Sequence, residues 1–233
     1  MMHLFFEPDF AIHQSLTEEE AFHATKVLRL KVGDEIKITD GKGYFYEGIF
    51  KEIHQKRCSI QVNQKAYIEP RPFSIEIVIA PTKNLDRMEW LVEKATEIGV
   101  DKISFVYTQR SERRVIKLDR LHKIAISAMK QSLQAYLPVI LEVGDFKKYI
   151  PTIKSKQKFI AHLPESETPK HLIHSALPNT SYTVLIGPEG DFTDDELKLA
   201  IEHSFEMVVL GKTRLRTETA ALVACQALHF INQ

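Results

Sequence analysis

Two stretches, Ile186-Gly187-Pro188-Glu189-Gly190-Asp191-Phe192-Thr193 and Leu210-Gly211-Lys212-Thr213-Arg214-Leu215-Arg216-Thr217-Glu218-Thr219-Ala220, decide how this chain is read. Each follows a short β-rich run, 182–186 and 207–210, and each leads into a helical pattern. Turn-forming residues at two successive strand ends leave backbone N–H and C=O groups uncovered, and such ends are where open α/β sheets bind ligands. A tight turn with a helix cap explains either stretch alone. The pair demands more, because the second loop places Arg216 and Glu218 beside its turn, and a turn needs neither charge.

Spacing excludes two common sites. Gly211-Lys212-Thr213 looks like the end of a phosphate-binding P-loop, but that motif needs a glycine five residues before its Gly-Lys, where Glu206 stands. The dinucleotide pattern G-x-G-x-x-G is absent from both loops.

The chain around these loops has 233 residues, enough for one large or two modest domains, and an ordinary apolar content of 44%. Lys plus Arg equals Asp plus Glu at 31 each, so total charge argues neither for nor against a nucleic-acid partner. Local charge is uneven. Arg110 to Lys130 holds seven Lys or Arg against two acidic residues, and Glu189 to Glu202 holds six acidic residues against one Lys. A basic run after a strand-end loop points to phosphate contacts, with a solvated helix face as the plainer reading. Cys58 and Cys225 are far apart and form no C-x-x-C, which fits a cytosolic protein without a disulfide framework. Ten histidines occur without H-E-x-x-H or a Cys/His cluster, so no metal is expected. The first residues show no signal peptide, and no stretch approaches a membrane span.

Residues 1–68 form a first unit. Thr17-Glu18-Glu19-Glu20 is a capping-box pattern opening a helix to about Leu28, and short alternating strands then suggest a small barrel. The segment 67–72, with two prolines, is a linker. From Phe73 strands and helices alternate. Strands are expected at 73–80, 102–107, 139–141, 158–161, 182–186 and 207–210. Amphipathic helices are expected over 84–98, 119–136 and 218–231, with a second capping box at Thr193-Asp194-Asp195-Glu196. Such alternation implies an α/β fold with a mainly parallel sheet covered on both faces, and Cys225 falls in the core.

IGPEGDFTDDE followed by LGKTRLRTETAALVA resembles the RsmE family of ribosomal RNA methyltransferases, in the SPOUT superfamily. VLRLKVGD resembles its PUA-like N-terminal domain, KNLDRMEWLVEKATEIGV its Lys-rich strand-end loop and next helix, and QRSERRV its Thr/Ser-Glu-Arg loop. One segment departs: a Glu-Gln-Ser-Gly-Arg-like run is expected near Lys130, and the chain reads KQSLQAYLP. The resemblance implies a PUA-like β-barrel over 1–68 that binds RNA, then a SPOUT-type α/β domain over 73–233 with a C-terminal trefoil knot, an exception to the rule that chains are unknotted. It implies S-adenosylmethionine (SAM) as methyl donor, N3 of a uridine in 16S ribosomal RNA of the small subunit as acceptor, a homodimer and a cytoplasmic location. Ile186, Gly187, Glu189, Gly190, Leu210, Gly211, Leu215, Arg216, Glu218, Thr219 and Ala220 match its SAM loops, and His162-Leu163-Pro164 is placed to form a third wall.

Neutral uracil carries a proton on N3, so methylation there must remove it. Arg216 is expected to stabilise negative charge on the base, and Glu218 either to orient Arg216 or to accept the proton; a structural salt bridge between them is the plainer reading. Lys83, Arg110, Arg113 and Arg114 are expected to contact RNA. Two rivals share these motifs: a SPOUT enzyme acting on transfer RNA, and an RNA-binding protein that keeps the knot without catalysis.

Overall fold

The computed structural model describes residues 3–54, 57–112, 114–164 and 169–233. They fall into two compact units, one of residues 1–70 with 126–137 and one of 71–125 with 138–233. The segment 126–137 therefore belongs with the first unit, although the strand–helix alternation assigns it to the second.

In the first unit, β1 (Leu4–Phe6), α1 (Phe10–His13), β2 (Ser15–Leu16) and α2 (Glu18–Phe22) precede three longer strands, β3 (Glu35–Thr39), β4 (Tyr44–Ile53) and β5 (Cys58–Tyr67). The strands form one sheet in the order β1-β3-β4-β5-β2. Its core gathers Phe5, Phe10, Ile36, Ile38, Phe50 and Cys58. Each such side chain contributes about 1.5–3 kcal/mol by leaving water. Gly48 lies at an irregularity in the β4–β5 pairing, where an added Cβ would stand 2.2 Å from the Gln61 carbonyl oxygen. Glycine is what permits that approach.

The capping box at Thr17 forms only by half. Thr17 accepts the Glu20 N–H at 3.5 Å, but the Thr17 N–H goes to Glu7 at 2.9 Å, and the Glu20 carboxylate pairs with Lys130 at 2.6 Å. The Glu7 carboxylate and the half-buried Lys130 ammonium replace the second half of the local cap.

From residue 71 onward, β6 (Ser74–Ile79), α3 (Leu85–Ile98), β7 (Lys102–Tyr107), α4 (Leu118–Gln131), β8 (Val139–Asp145), α5 (Phe146–Tyr149), β9 (Gln157–Ala161), α6 (Leu172–Ser175), β10 (Ser181–Ile186), α7 (Asp194–Glu202), β11 (Glu206–Val208) and α8 (Thr217–Ile231) follow in order. The six strands make an all-parallel sheet in the order β11-β9-β10-β6-β7-β8. One face packs on α5 and α7 through Val78, Ile160, Leu185, Phe146 and Phe192. On the other, α8 packs against α3, β6 and β10. Asn84 caps α3 by accepting the Asp86 N–H at 2.9 Å, and Gly99 ends it in the left-handed region at φ 103°. At Thr193 both halves of the capping box are present.

Helix α4 ends five residues before the periodicity predicts. Leu133 turns left-handed at φ 55°, Gln134 N–H bonds the Met129 carbonyl, and 135–137 pairs with the first unit through Gly43 N–H to Ala135 and Leu137 N–H to Gly41. Those bonds replace the helical ones that Ala135 and Leu137 would otherwise make.

A half-buried carboxylate lies at the sheet centre. Glu76 accepts from Ser104 at 2.6 Å, Tyr149 at 2.6 Å and Thr183 at 3.1 Å, and Lys102 Nζ lies 3.0 Å away.

Candidate active site

The carboxyl ends of β11, β9 and β10 lie side by side, and the loops leaving them frame a cavity of about 350 Å³. Its walls come from Ala161, His162 and Leu163 after β9, from 186–189 and Asp191 after β10, and from 209–211, 213–217 and Ala220 after β11. Strand pairing sets this up: Ile186 stands opposite Ala161, and Val208 opposite Ala161 on the far side. The His162 N–H continues the ladder by bonding the Val208 carbonyl at 3.1 Å.

Of the residues expected to hold a cofactor, His162, Leu163, Ile186, Gly187, Glu189, Leu210, Gly211, Leu215, Arg216 and Ala220 line this cavity. Gly190 and Thr219 do not. Gly190 lies against Arg110, whose guanidinium donates to the carbonyls of Gly190 at 2.7 Å and Phe192 at 3.3 Å. Gly187 is small for packing, since an added Cβ would come 3.1 Å from the Phe192 ring. Gly211 is small for space, since its added Cβ would meet nothing within 4 Å.

The two expected catalytic residues are placed differently. Arg216 is exposed at the cavity wall and has no ion pair among the described residues. Glu218 is 5% exposed and does not line the cavity. Its Oε1 lies 3.8 Å from Nε of Arg87, and its Oε2 is buried without a hydrogen-bond partner among the described residues. The expected link between Glu218 and Arg216 is therefore replaced by one to Arg87. Arg87, in the first turn of α3, also stands 3.9 Å from Glu189 and so bridges the two glycine loops. Arg214 ties them again, donating to the Glu189 carbonyl at 3.3 Å.

Sequence reasoning missed Arg87, Arg214 and Asp191. Asp191 is the most consequential. Its Oδ2 lies 2.9 Å from Nδ1 of His162, and its Oδ1 accepts the Phe192 N–H at 2.8 Å. It sits inside the first quoted loop, but nothing in that loop pairs it with a residue 29 positions earlier. Cys225 is buried in α8, and burial pushes its thiol up to about 12, so it is a core residue and no nucleophile.

The residues expected to meet RNA make different contacts. Lys83 is exposed and 3.2 Å from Glu112, Arg110 clamps the first glycine loop, Arg114 is exposed near the Thr108 carbonyl, and Arg113 lies outside the described residues. Among the described residues no helix is long and apolar enough to cross a membrane, and no three His, Cys, Asp or Glu side chains gather as a metal site.

A parallel sheet with a glycine-walled cavity at its strand ends, preceded by a small sheet, corresponds to a known class. Residues 69–229 match the RNA methyltransferase domain, and 16–63 match the RNA methyltransferase PUA domain. The chain is 30% identical to Ribosomal RNA small subunit methyltransferase E of Buchnera aphidicola, covering 97% of this chain and 91% of that one. It is 29% identical to the protein of the same name from Bacillus subtilis, over 93% and 89%. A probable rRNA-methyltransferase from Porphyromonas gingivalis superposes with a TM-score of 0.92 at 40% identity, over 99% and 98% of the two chains. Ribosomal RNA small subunit methyltransferase E from Neisseria gonorrhoeae, solved bound to S-adenosyl methionine, superposes with a TM-score of 0.87 at 26% identity, over 100% and 98%. The chain belongs to the RsmE family of RNA methyltransferases, as its two glycine loops imply.

Proposed function

We propose that this protein transfers a methyl group from SAM to N3 of a uridine in 16S ribosomal RNA of the small ribosomal subunit. The cavity at the joined ends of β9, β10 and β11 carries this reading. Its volume of about 350 Å³ suits a nucleoside-sized ligand, and the open space at Gly211 lets a ligand approach the backbone. Backbone groups of Ile186, Gly187, Leu210 and Gly211 hold the adenine, and Leu163, Leu215 and Ala220 supply apolar walls. Gly190 and Thr219 shape the loops from outside the lining. SAM supplies an electrophilic methyl group carried on a sulfonium.

The chain's part is orientation and charge. Arg216, free of an ion pair among the described residues, stabilises the negative charge that develops on the base. Glu218, buried beside Arg87, positions the second loop instead of taking the proton. The first unit and the basic segment take the RNA. Arg114, Lys117 and Lys123 are exposed there, and Arg113 and Lys83 join them as phosphate contacts. The chain past β11 is threaded as a trefoil knot. Two placements support that: Val209 bonds Lys170 and Leu172 in the β9–β10 connection, while α8 packs on α3 and β6 at the middle of the sheet. The enzyme works as a cytoplasmic homodimer.

Mass mapping of 16S RNA from a deletion strain tests this reading. One N3-methyluridine should be missing, and purified protein with SAM should restore it. Methylation of transfer RNA instead, or SAM binding without methylation of any RNA, would overturn it.

A further inference from the structure

We propose that His162 is the catalytic proton acceptor for the RNA base, and that Asp191 is the positioning residue that sets its tautomer. This inference rests on the function proposed above.

The charged groups around the cavity are Glu189, Asp191, Arg214 and Arg216, and His162 stands among them. The two guanidiniums are permanently protonated. Glu189 Oε1 already accepts the Lys83 N–H at 3.3 Å and faces Arg87. Asp191 has one oxygen on the Phe192 N–H and the other on His162 Nδ1. An ionised carboxylate only accepts, so the proton between them sits on Nδ1 and the Nε2 lone pair is left for a substrate. Nε2 has no partner among the described residues, and the His162 side chain keeps 17% of its surface exposed in the cavity wall.

The pair is built by the fold. His162 continues the β9–β11 ladder, and Asp191 is held by a turn in which its N–H bonds the Pro188 carbonyl at 3.0 Å. The turn puts Asp191 in the left-handed region at φ 61°, which Asp tolerates better than most residues. The N3 proton moves to Nε2, and the N3 electron pair forms the new N–C bond to the methyl carbon while the bond from that carbon to the sulfonium sulfur of SAM breaks, its electron pair staying on sulfur, which leaves as a neutral thioether; Asp191 stabilises the imidazolium until water removes the proton. Proton transfer to a positioned base contributes roughly 10²–10⁴-fold.

The test uses the full chain and three readouts. Nitrogen NMR of the wild-type imidazole should place the proton of neutral His162 on Nδ1, and Asp191→Asn should move it to Nε2, the wrong tautomer for a base. His162→Gln and Asp191→Asn should each slow single-turnover methylation of 16S RNA by about 10²-fold or more, with SAM affinity by calorimetry within about threefold of wild type. The wild-type rate should be lower at acid pH, where a base that already carries a proton cannot accept one, and His162→Gln should lose that pH dependence. Three results would overturn the assignment: a proton on Nε2 in the wild type, His162→Gln at the wild-type rate, or a loss of SAM affinity that matches the loss of rate. A wild-type protein that methylates no 16S RNA would instead sink the function on which the inference rests, a result distinct from any of the three.

Discussion

At the scale of single residues, two glycines of the same motifs do different work. An added Cβ at Gly187 runs into Phe192, whereas one at Gly211 faces open space. Gly211→Val should therefore leave a folded protein, with some backbone strain from the positive φ of 159° at that position, while its methyl groups enter the cavity. Calorimetry should show SAM affinity falling by roughly 10–100-fold, the equivalent of an overpacking cost of about 1–3 kcal/mol. Unchanged affinity would remove the ligand from this wall. Both glycines stand out in the sequence, but which of them borders a ligand does not, because that depends on what the fold puts opposite each one. Glu218 teaches the same lesson. Its place in LRTETA suggested a role beside Arg216, and the fold buries it against Arg87 instead.

At the scale of elements, the sheet is held at its centre by the Glu76 network. Burial pushes the Glu76 carboxyl up, but hydrogen bonds from Ser104, Tyr149 and Lys102 outweigh it and hold the group below its ordinary value of 4.5. A carboxylate with a depressed folded pKa adds stability above its unfolded value, and that stability is lost as pH falls through the folded one. Glu76→Gln should cost about 1–3 kcal/mol at pH 7. Its stability should also fall less steeply than wild type as the pH drops below about 4.5. Urea unfolding across pH 3–7 measures both, and parallel curves for the two proteins would refute the account. The strand pattern of the second unit was legible because buried parallel strands read as short apolar runs between turns. The end of α4 was not, since the bonds that stop it come from the strand region around Gly41 and Gly43, far away in sequence.

At the scale of the whole molecule, neutral net charge hides a segregated distribution, and part of the basic run is already spent inside the protein. Arg110 holds loop carbonyls, Arg120 pairs with Glu89 at 2.6 Å, and Lys130 pairs with Glu20. The proposed homodimer finds support in Ile173, Leu177 and Phe230, which stand 43%, 69% and 62% exposed on α6, just after it, and at the end of α8. Exposed apolar groups of this size are favoured at interfaces. Sedimentation should show a dimer at micromolar concentration, and Phe230→Arg should shift it toward monomer. A wild-type monomer with full activity would rule the dimer out.

By itself the sequence determined the class of fold, the places of most strands and helices, and the two loops that frame the cavity. These follow from local rules: period-two and period-3.6 apolar spacing, the capping box at Thr193, and glycine where backbone must stay bare. Only the tertiary structure decided which charges meet. Arg87 reaches Glu218 across 131 positions of sequence and Asp191 reaches His162 across 29, distances at which no periodicity carries information. Parallel strand order makes the second meeting, by setting β9 beside β10 so that loops remote in the chain share one end of the sheet, and the packing of α8 on α3 makes the first.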